Sequence, residues 1–258
     1  MKGFVNTMQQ GAFDQEAVEW QYNAQKKHWW FKARTRILDK IISTLKFPPP
    51  PQDILEIGCG TGPNLEMLSK HGNVKGLEYS DYSLEIVRRT LSDIPVRKGW
   101  LPDNIDVWRQ RFDLVCCFDV LEHVADDKAA LRAIKDVMKE NGVLFLALPA
   151  YQWLFGPYDI EGGHYRRYDK KSAKEMLTRN GFVIEYSTYI NTILFPCVCM
   201  GRLAEKMKSG QFVTPKALKV PNIVVNTILY RLFVIESYYI PALSNPFGAS
   251  LLILARNI

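Results

Sequence analysis

The sequence predicts a doubly wound α/β fold, a largely parallel sheet covered by helices on both faces. Three observations carry this. Strand-like and helix-like segments alternate from about residue 53 to residue 190. The first strand runs into a loop with glycine at every second position. The 258 residues are 47% hydrophobic and 23% charged, which suits one large packed domain and excludes disorder over most of the chain.

Residues 13–46 hold few breakers and many good helix formers, with Trp20, Tyr22, Trp29, Trp30 and Phe31 among them. They read as one helical stretch, so residues 1–47 are expected to form an N-terminal cap and residues 48–258 the main domain. Pro48 to Pro51 stop the helix and give a stiff extended spacer. Asp53–Ile57 is short, apolar and followed by glycines, the pattern of a buried strand. A helix is expected at about 63–71, a strand at 74–78, a helix at 82–91 and a short strand near 95–98. Phe112–Phe118 reads as the fourth strand. The helix after it, about 127–140, is closed by Asn141-Gly142, residues suited to a left-handed turn. Val143–Leu148 is the fifth strand, 170–179 a helix ended by Asn180-Gly181, Phe182–Ile190 the sixth strand, and Ser250–Arg256 the last. No internal repeat is present.

A helical insert at about 191–249 separates the final two strands. Pro221 opens its helical segment Asn222–Ile240, whose polar residues Asn222, Asn226, Tyr230, Arg231 and Ser237 form one narrow stripe. A helix this apolar must be covered by the domain, by a second subunit or by a lipid surface. The net charge of +6 is concentrated here, because residues 191–258 carry seven Lys or Arg against Glu205 and Glu236. Five of the cations, Arg202, Lys206, Lys208, Lys216 and Lys219, precede the apolar helix. Basicity so localised argues against a general nucleic-acid binder and leaves open peripheral membrane contact through residues 191–240. The five cysteines are odd in number, and Cys116 and Cys117 adjoin in an apolar run, which suits neither a disulfide framework nor a metal cage. No stretch of 18 uncharged apolar residues and no apolar leader occurs, so the expected compartment is a reducing cytoplasm, with attachment to the inner face of the membrane left open. No metal site is expected.

The strongest chemical signal is Glu56-Ile57-Gly58-Cys59-Gly60-Thr61-Gly62 between a strand and a helix. Glycines there allow sharp turning and close approach of the backbone to a ligand. Glu78 ends the next strand, 20 residues beyond Gly58, where a carboxylate can accept bonds from two ribose hydroxyls. A dinucleotide fingerprint needs glycine at its sixth position, and that position is Pro63. A P-loop needs Gly-Lys-Ser/Thr, which is missing. What remains is a ligand with a ribose and no pyrophosphate to clamp.

These residues resemble the class I S-adenosylmethionine-dependent methyltransferases. The matching features are Leu55 to Gly62, then Gly76-Leu77-Glu78-Tyr79-Ser80, Phe112-Asp113-Leu114-Val115, Asp119-Val120-Leu121-Glu122-His123 and Asn141-Gly142-Val143-Leu144. The likeness runs from about residue 25 to 190. It implies S-adenosyl-L-methionine as cofactor, S-adenosyl-L-homocysteine as product, and a Rossmann-like sheet of seven strands with the last antiparallel. It also implies roles for the matching positions. Gly58, Cys59, Gly60 and Gly62 would line the methionine part of the cofactor, and Glu56 would hold its ammonium. Glu78 would bind the ribose and Tyr79 flank the adenine. Phe118, Asp119 and Val120 would sit at the methionine end, with Trp30 and Arg34 of the cap as a lid near the carboxylate. One departure concerns adenine: where members often carry an Asp, Gly99 is followed by Trp100, Leu101 and Pro102. Recognition there falls to the backbone around Trp100 and Leu101, or to Asp103.

Transfer from a sulfonium mainly demands alignment and exclusion of water. No Asn-Pro-Pro-Tyr-type run follows the fourth strand, which disfavours methylation of nucleic-acid bases. After the fifth strand, Pro149-Ala150-Tyr151-Gln152-Trp153 and Gly163-His164-Tyr165-Arg166-Arg167-Tyr168 belong to a loop that should face the crevice. Similar loops occur in a bacterial branch of the family. His164 is the candidate general base, or else it pins the loop together with Tyr168. Tyr151, Arg166, Arg167 and Tyr168 are candidate acceptor contacts. The two arginines would pair a phosphate or carboxylate, bridge Asp159 and Glu161, or lie solvated. The expected acceptor is small or lipid-linked and is methylated at oxygen, and a homodimer is left open. The alternatives are a non-catalytic S-adenosylmethionine-binding protein of this fold and a nicotinamide-dependent oxidoreductase.

Overall fold

The structure is a computed structural model that describes residues 15–45, 52–108, 111–207 and 220–258. Seven strands form one sheet in the order β3-β2-β1-β4-β5-β7-β6. They are β1 (Gln52–Ile57), β2 (Gly72–Glu78), β3 (Val96–Lys98), β4 (Phe112–Phe118), β5 (Met138–Pro149), β6 (Phe182–Ile190) and β7 (Ser250–Asn257). Pairing from β3 to β5 is parallel, and β7 runs antiparallel to both β5 and β6. The sheet order turns back between β1 and β4, which places the ends of those two strands, and the loops after them, at one crevice.

The period of two along β4 sorts its side chains onto two cores. Leu114, Cys116 and Phe118 join the face shared with Ile37, Leu38 and Ile41, whereas Val115 and Cys117 join the face shared with Leu131, Ile134 and Leu177. The adjacent cysteines therefore point to opposite sides of the sheet, and both thiols are free.

Helices α1 (Gln15–Lys27) and α2 (Trp29–Ile42) replace the single helical stretch expected at 13–46. His28 interrupts it with extended backbone, and its Nδ1 accepts from the Trp30 amide at 3.2 Å, capping α2. Asn226 fills the break: its Oδ1 accepts from the Trp29 amide at 3.0 Å and its Nδ2 donates to the Lys27 carbonyl at 2.9 Å. Helix α3 (Pro63–Leu68) is shorter than expected, and α4 (Asp81–Thr90) starts at a Ser80 cap.

A clearer correction concerns α5 (Asp127–Asp136). It stops four residues early because Met138 already pairs with Phe112. Asn141-Gly142 does not end a helix. Asn141, at φ +60°, lies inside β5, where pairing jumps from Phe112–Met138 to Leu114–Val143 across a bulge. Lys139 fixes the bulge with ion pairs to Asp53 at 2.9 Å and Asp113 at 2.8 Å.

Short α6 (Pro157–Glu161) and α7 (Lys170–Arg179) precede β6, and α8 (Phe195–Met207), α9 (Ile223–Val234) and α10 (Glu236–Tyr239) form the insert. Buried Glu236 ties the insert to the end of β6 by accepting from the Asn191 and Thr192 amides at 2.8 and 2.7 Å. Helix α9 packs on α2 through its far end, where Phe233 and Val234 are buried. Leu229, Tyr230 and Leu232 are half-buried, but Ile223 is 77% exposed, and Val224, Val225 and Ile228 are also exposed. The proline spacer at 48–51 and Lys208, Lys216 and Lys219 lie outside the described residues.

Candidate active site

Three glycines shape the loop after β1. Gly58, Gly60 and Gly62 all have positive φ, at +69°, +54° and +87°. A Cβ on Gly58 would stand 2.3 Å from Val120 Cγ2, while one at Gly60 would meet nothing within 4 Å. The loop is thus tight against the segment just after β4 on one side and open at its middle. The Gly58 and Cys59 amides both donate to the Leu77 carbonyl, at 2.7 and 3.1 Å.

Two buried carboxylates flank this loop. Glu78 Oε2 accepts from the Gly60 amide and its Oε1 from the Ser80 amide, each at 2.8 Å. Burial raises its pKa and the backbone donors at Ser80, Gly60 and Tyr79 hold the rise in check. Each oxygen keeps a second lone pair for a further donor. Glu56 is more isolated. Its Oε1 accepts from Asn64 Nδ2 at 2.8 Å, whereas its buried Oε2 has no hydrogen-bond partner. Burial pushes its carboxyl up to about 8, against the pull of Asn64 and Arg34.

The cap closes over the loop. Gln25 of α1 accepts from the Thr61 hydroxyl at 2.8 Å, and Glu19 accepts from Tyr82. Arg34 of α2, buried, meets Asp119 at 2.6 Å and lies against the Trp30 and Phe118 rings. Asp119, the residue after β4, has φ +56°, a left-handed conformation that only a few non-glycine residues adopt. Tyr79 and Trp100 meet edge to face at 5.6 Å, with Leu101 buried beside them.

Beyond β5 the loop is held by one fully buried carboxylate, Asp159. It accepts from the Gly156 amide at 3.0 Å, His164 Nδ1 at 3.0 Å and Arg167 at 2.9 and 2.7 Å, with Arg202 at 3.8 Å. Burial alone would raise its carboxyl, but the bonds from His164 and Arg167 and the charges of Arg167 and Arg202 hold it well below the usual range. Arg167 also donates to the Ala150 carbonyl. Arg166 donates to the Val124 and Ala125 carbonyls and pairs with Asp127 at 3.1 Å. Tyr168 is buried, its hydroxyl 3.4 Å from the Leu121 carbonyl. Tyr151, at φ +62°, stacks on Tyr189 at 5.0 Å.

The structure thus brings the glycine loop, Glu56, Glu78, Phe118, Asp119, Val120, Trp30 and Arg34 together around the ends of β1 and β4. Arg166 and Tyr168 are engaged by the segment after β4, and Arg167 by Asp159 and Ala150 of its own loop. His123 and His164 meet at 4.6 Å, ring planes at 89°. Burial, with the neighbouring His164, pushes His123 down to about 4. Gln25, Asn64 and the hub role of Asp159 were not evident from the sequence, since each depends on a fold-made contact.

A family described as Methyltransferase domain matches residues 16–187. Ubiquinone biosynthesis O-methyltransferase of Neisseria meningitidis is 31% identical over 101 residues, 36% of this chain and 42% of that protein. Its namesake from Coxiella burnetii is 28% identical over 116 residues, 43% of this chain and 50% of that protein. The match thus spans half or less of the length of these curated relatives. Among solved structures, Haemonchus contortus phosphoethanolamine N-methyltransferase 2 in complex with S-adenosyl-L-methionine shares the fold, with a TM-score of 0.62 at 15% identity over 99% of this chain and 60% of that one. With two thirds of its length matched and the sheet order and glycine loop in place, the chain belongs to the methyltransferase-domain family, in the class I S-adenosylmethionine-dependent group that its motifs resemble.

Proposed function

We propose that the chain transfers a methyl group from S-adenosylmethionine to a small or lipid-linked acceptor, at oxygen. The observation that carries this is Glu56: a buried carboxylate with one unpartnered oxygen, next to a loop of three left-handed glycines whose middle amide is held by a second buried carboxylate, Glu78. An unpartnered buried carboxylate oxygen is costly without a cation, and the cofactor carries an ammonium. The open space at Gly60 accommodates a ligand that a side chain there would displace.

When bound, S-adenosylmethionine supplies a sulfonium-activated methyl that an acceptor lone pair takes in line as the carbon–sulfur bond breaks, leaving the thioether. The chain's residues bind, orient and exclude water. Glu56 receives the ammonium, Glu78 the ribose hydroxyls, and Tyr79 with Trp100 and Leu101 border the adenine. The α1–α2 cap, through Gln25 and Arg34, covers the methionine end. On the acceptor side, His164 gives Nδ1 to Asp159, which leaves the Nε2 lone pair available to an acceptor proton. Oxygen as the acceptor atom is supported by the two O-methyltransferase relatives.

Incubation with methyl-labelled S-adenosylmethionine and cell extracts, partitioned into organic and aqueous phases, tests this. Glu78→Ala protein is the blank. Label above blank in the organic phase supports a lipid-linked acceptor, and in the aqueous phase a small soluble one. S-adenosylmethionine binding without label in either phase would favour a non-catalytic protein of this fold.

Peripheral membrane contact is favoured by a separate observation. A cavity of about 440 Å³ between α1, α2 and α9 is lined by Lys26, Lys27, Lys32, Trp29 and Tyr230, beside the exposed Ile223. Cations with aromatics next to an apolar helix face suit an anionic lipid surface. No described helix is long and apolar enough to cross a membrane.

A further inference from the structure

Among the described residues, Glu122, His123 and His164 each offer a ligand atom, and these atoms lie within 4.8 Å of one another. The fold builds the cluster from two loops. Glu122 and His123 form the short turn after β4, and His164 arrives from the loop after β5, which is fastened to that turn by the Tyr165 amide donating to the Glu122 carbonyl at 2.8 Å. The sequence separates His164 from the other two by some forty residues, and β4–β5 pairing brings them together.

Each group is prepared for a cation. Glu122 is 1% exposed, and its Oε2 is buried without a hydrogen-bond partner. His164 gives Nδ1 to fully buried Asp159, which fixes the ring and leaves Nε2 free. A carboxylate behind an imidazole is the usual outer support of a metal-bound histidine, and it raises the basicity of the ligating nitrogen. The His123 ring is in turn held by backbone groups at Gly162 and Gly163. Both histidines are only partly buried, so an ion can reach them.

We propose that Glu122, His123 and His164 form a divalent transition-metal site, with Asp159 as the outer partner of His164. Two imidazoles and one carboxylate suit zinc or iron(II) better than magnesium or calcium, and three protein ligands leave positions open. This deepens the methyl-transfer reading and rests on it for one step only. An acceptor hydroxyl on an open position loses its proton to water more readily, so the ion takes over the work otherwise assigned to His164 Nε2.

The test uses the full chain, stripped with a chelator and titrated with cobalt(II) as a spectroscopic substitute for zinc. One equivalent should bind, giving visible ligand-field bands without thiolate charge transfer, and zinc should displace it. His164→Ala should weaken binding at least ~10-fold, while His71→Ala, at a histidine paired with Asp39 elsewhere, should leave it unchanged. Thermal melting checks folding, and His164→Gln replaces the alanine variant if that one melts early. Absence of binding up to millimolar cobalt, thiolate bands, or binding indifferent to His164 would overturn the site. S-adenosylmethionine binding to the stripped protein is read separately. Cobalt failure with cofactor binding intact sinks the metal site alone, and cobalt binding without cofactor binding sinks the methyl-transfer reading alone.

Discussion

Glu56 is held in two conflicting conditions: its burial favours the neutral acid, and its proposed partner is a cation. With a folded pKa of about 8 against an ordinary 4.5, the native state keeps a proton that the unfolded state has lost. Its contribution to stability is therefore largest below pH 4.5 and declines as pH rises toward 8, by about 1.4 kcal/mol per pH unit within that window. Glu56→Gln removes this dependence. Between pH 6 and 9 the variant should gain melting temperature relative to the parent, while S-adenosylmethionine affinity falls at least ~10-fold. Cofactor binding at pH 7 should also release close to one proton, visible by calorimetry as a heat that varies with the buffer's ionisation enthalpy. Absence of both effects would remove Glu56 from the ammonium site. Asp159 is the opposite case, a carboxylate held ionised by its partners. Asp159→Ala strands the buried Arg167 and should cost about 3–5 kcal/mol, lowering the melting temperature by on the order of 10 °C.

At the scale of elements, the two cap helices differ: α2 is packed into the core through Ile37, Leu38 and Ile41, whereas α1 meets the site through Gln25 to Thr61 and Glu19 to Tyr82. Removing residues 1–27 leaves both core clusters and α2 nearly intact. That truncation should still melt cooperatively and bind S-adenosylmethionine at least ~10-fold more weakly by calorimetry; unchanged affinity would deny α1 its part as a lid. The same elements show what the sequence made legible. Strands β4 and β6 were readable to the residue because each is a short run rich in β-branched, aromatic or apolar residues with a boundary marked locally, Asp119 after β4 and Asn180-Gly181 before β6. The glycine loop and both flanking carboxylates were readable because they are local in sequence. The helix break at His28 was not, since Asn226, 198 positions beyond it, satisfies the backbone there. Nor was the bulge at Asn141-Gly142, where the same left-handed residues that end helices serve a strand, and only pairing with Phe112 decides between them. The Glu122–His123–His164 cluster needed the register of β4 on β5.

At the scale of the whole molecule, one apolar patch of the described surface adjoins cations. Ile223, Val224, Val225 and Ile228 stand exposed beside a cavity lined by Lys26, Lys27 and Lys32. The chain should therefore float with anionic vesicles at low salt and less so as salt rises. Replacing both Ile223 and Ile228 by Glu should abolish flotation without lowering the melting temperature, since neither side chain is buried. No flotation of the parent chain would return this face to protein partners. The position of β7 has a consequence for biosynthesis. Strands β5 and β6 are neighbours in the order of translation but not in the sheet, because β7 must lie between them, and the whole insert, residues 191–249, is made first. On the ribosome, two hydrophobic strands thus have bare edges for the time it takes to translate the insert, the condition under which nascent chains seek chaperones or one another.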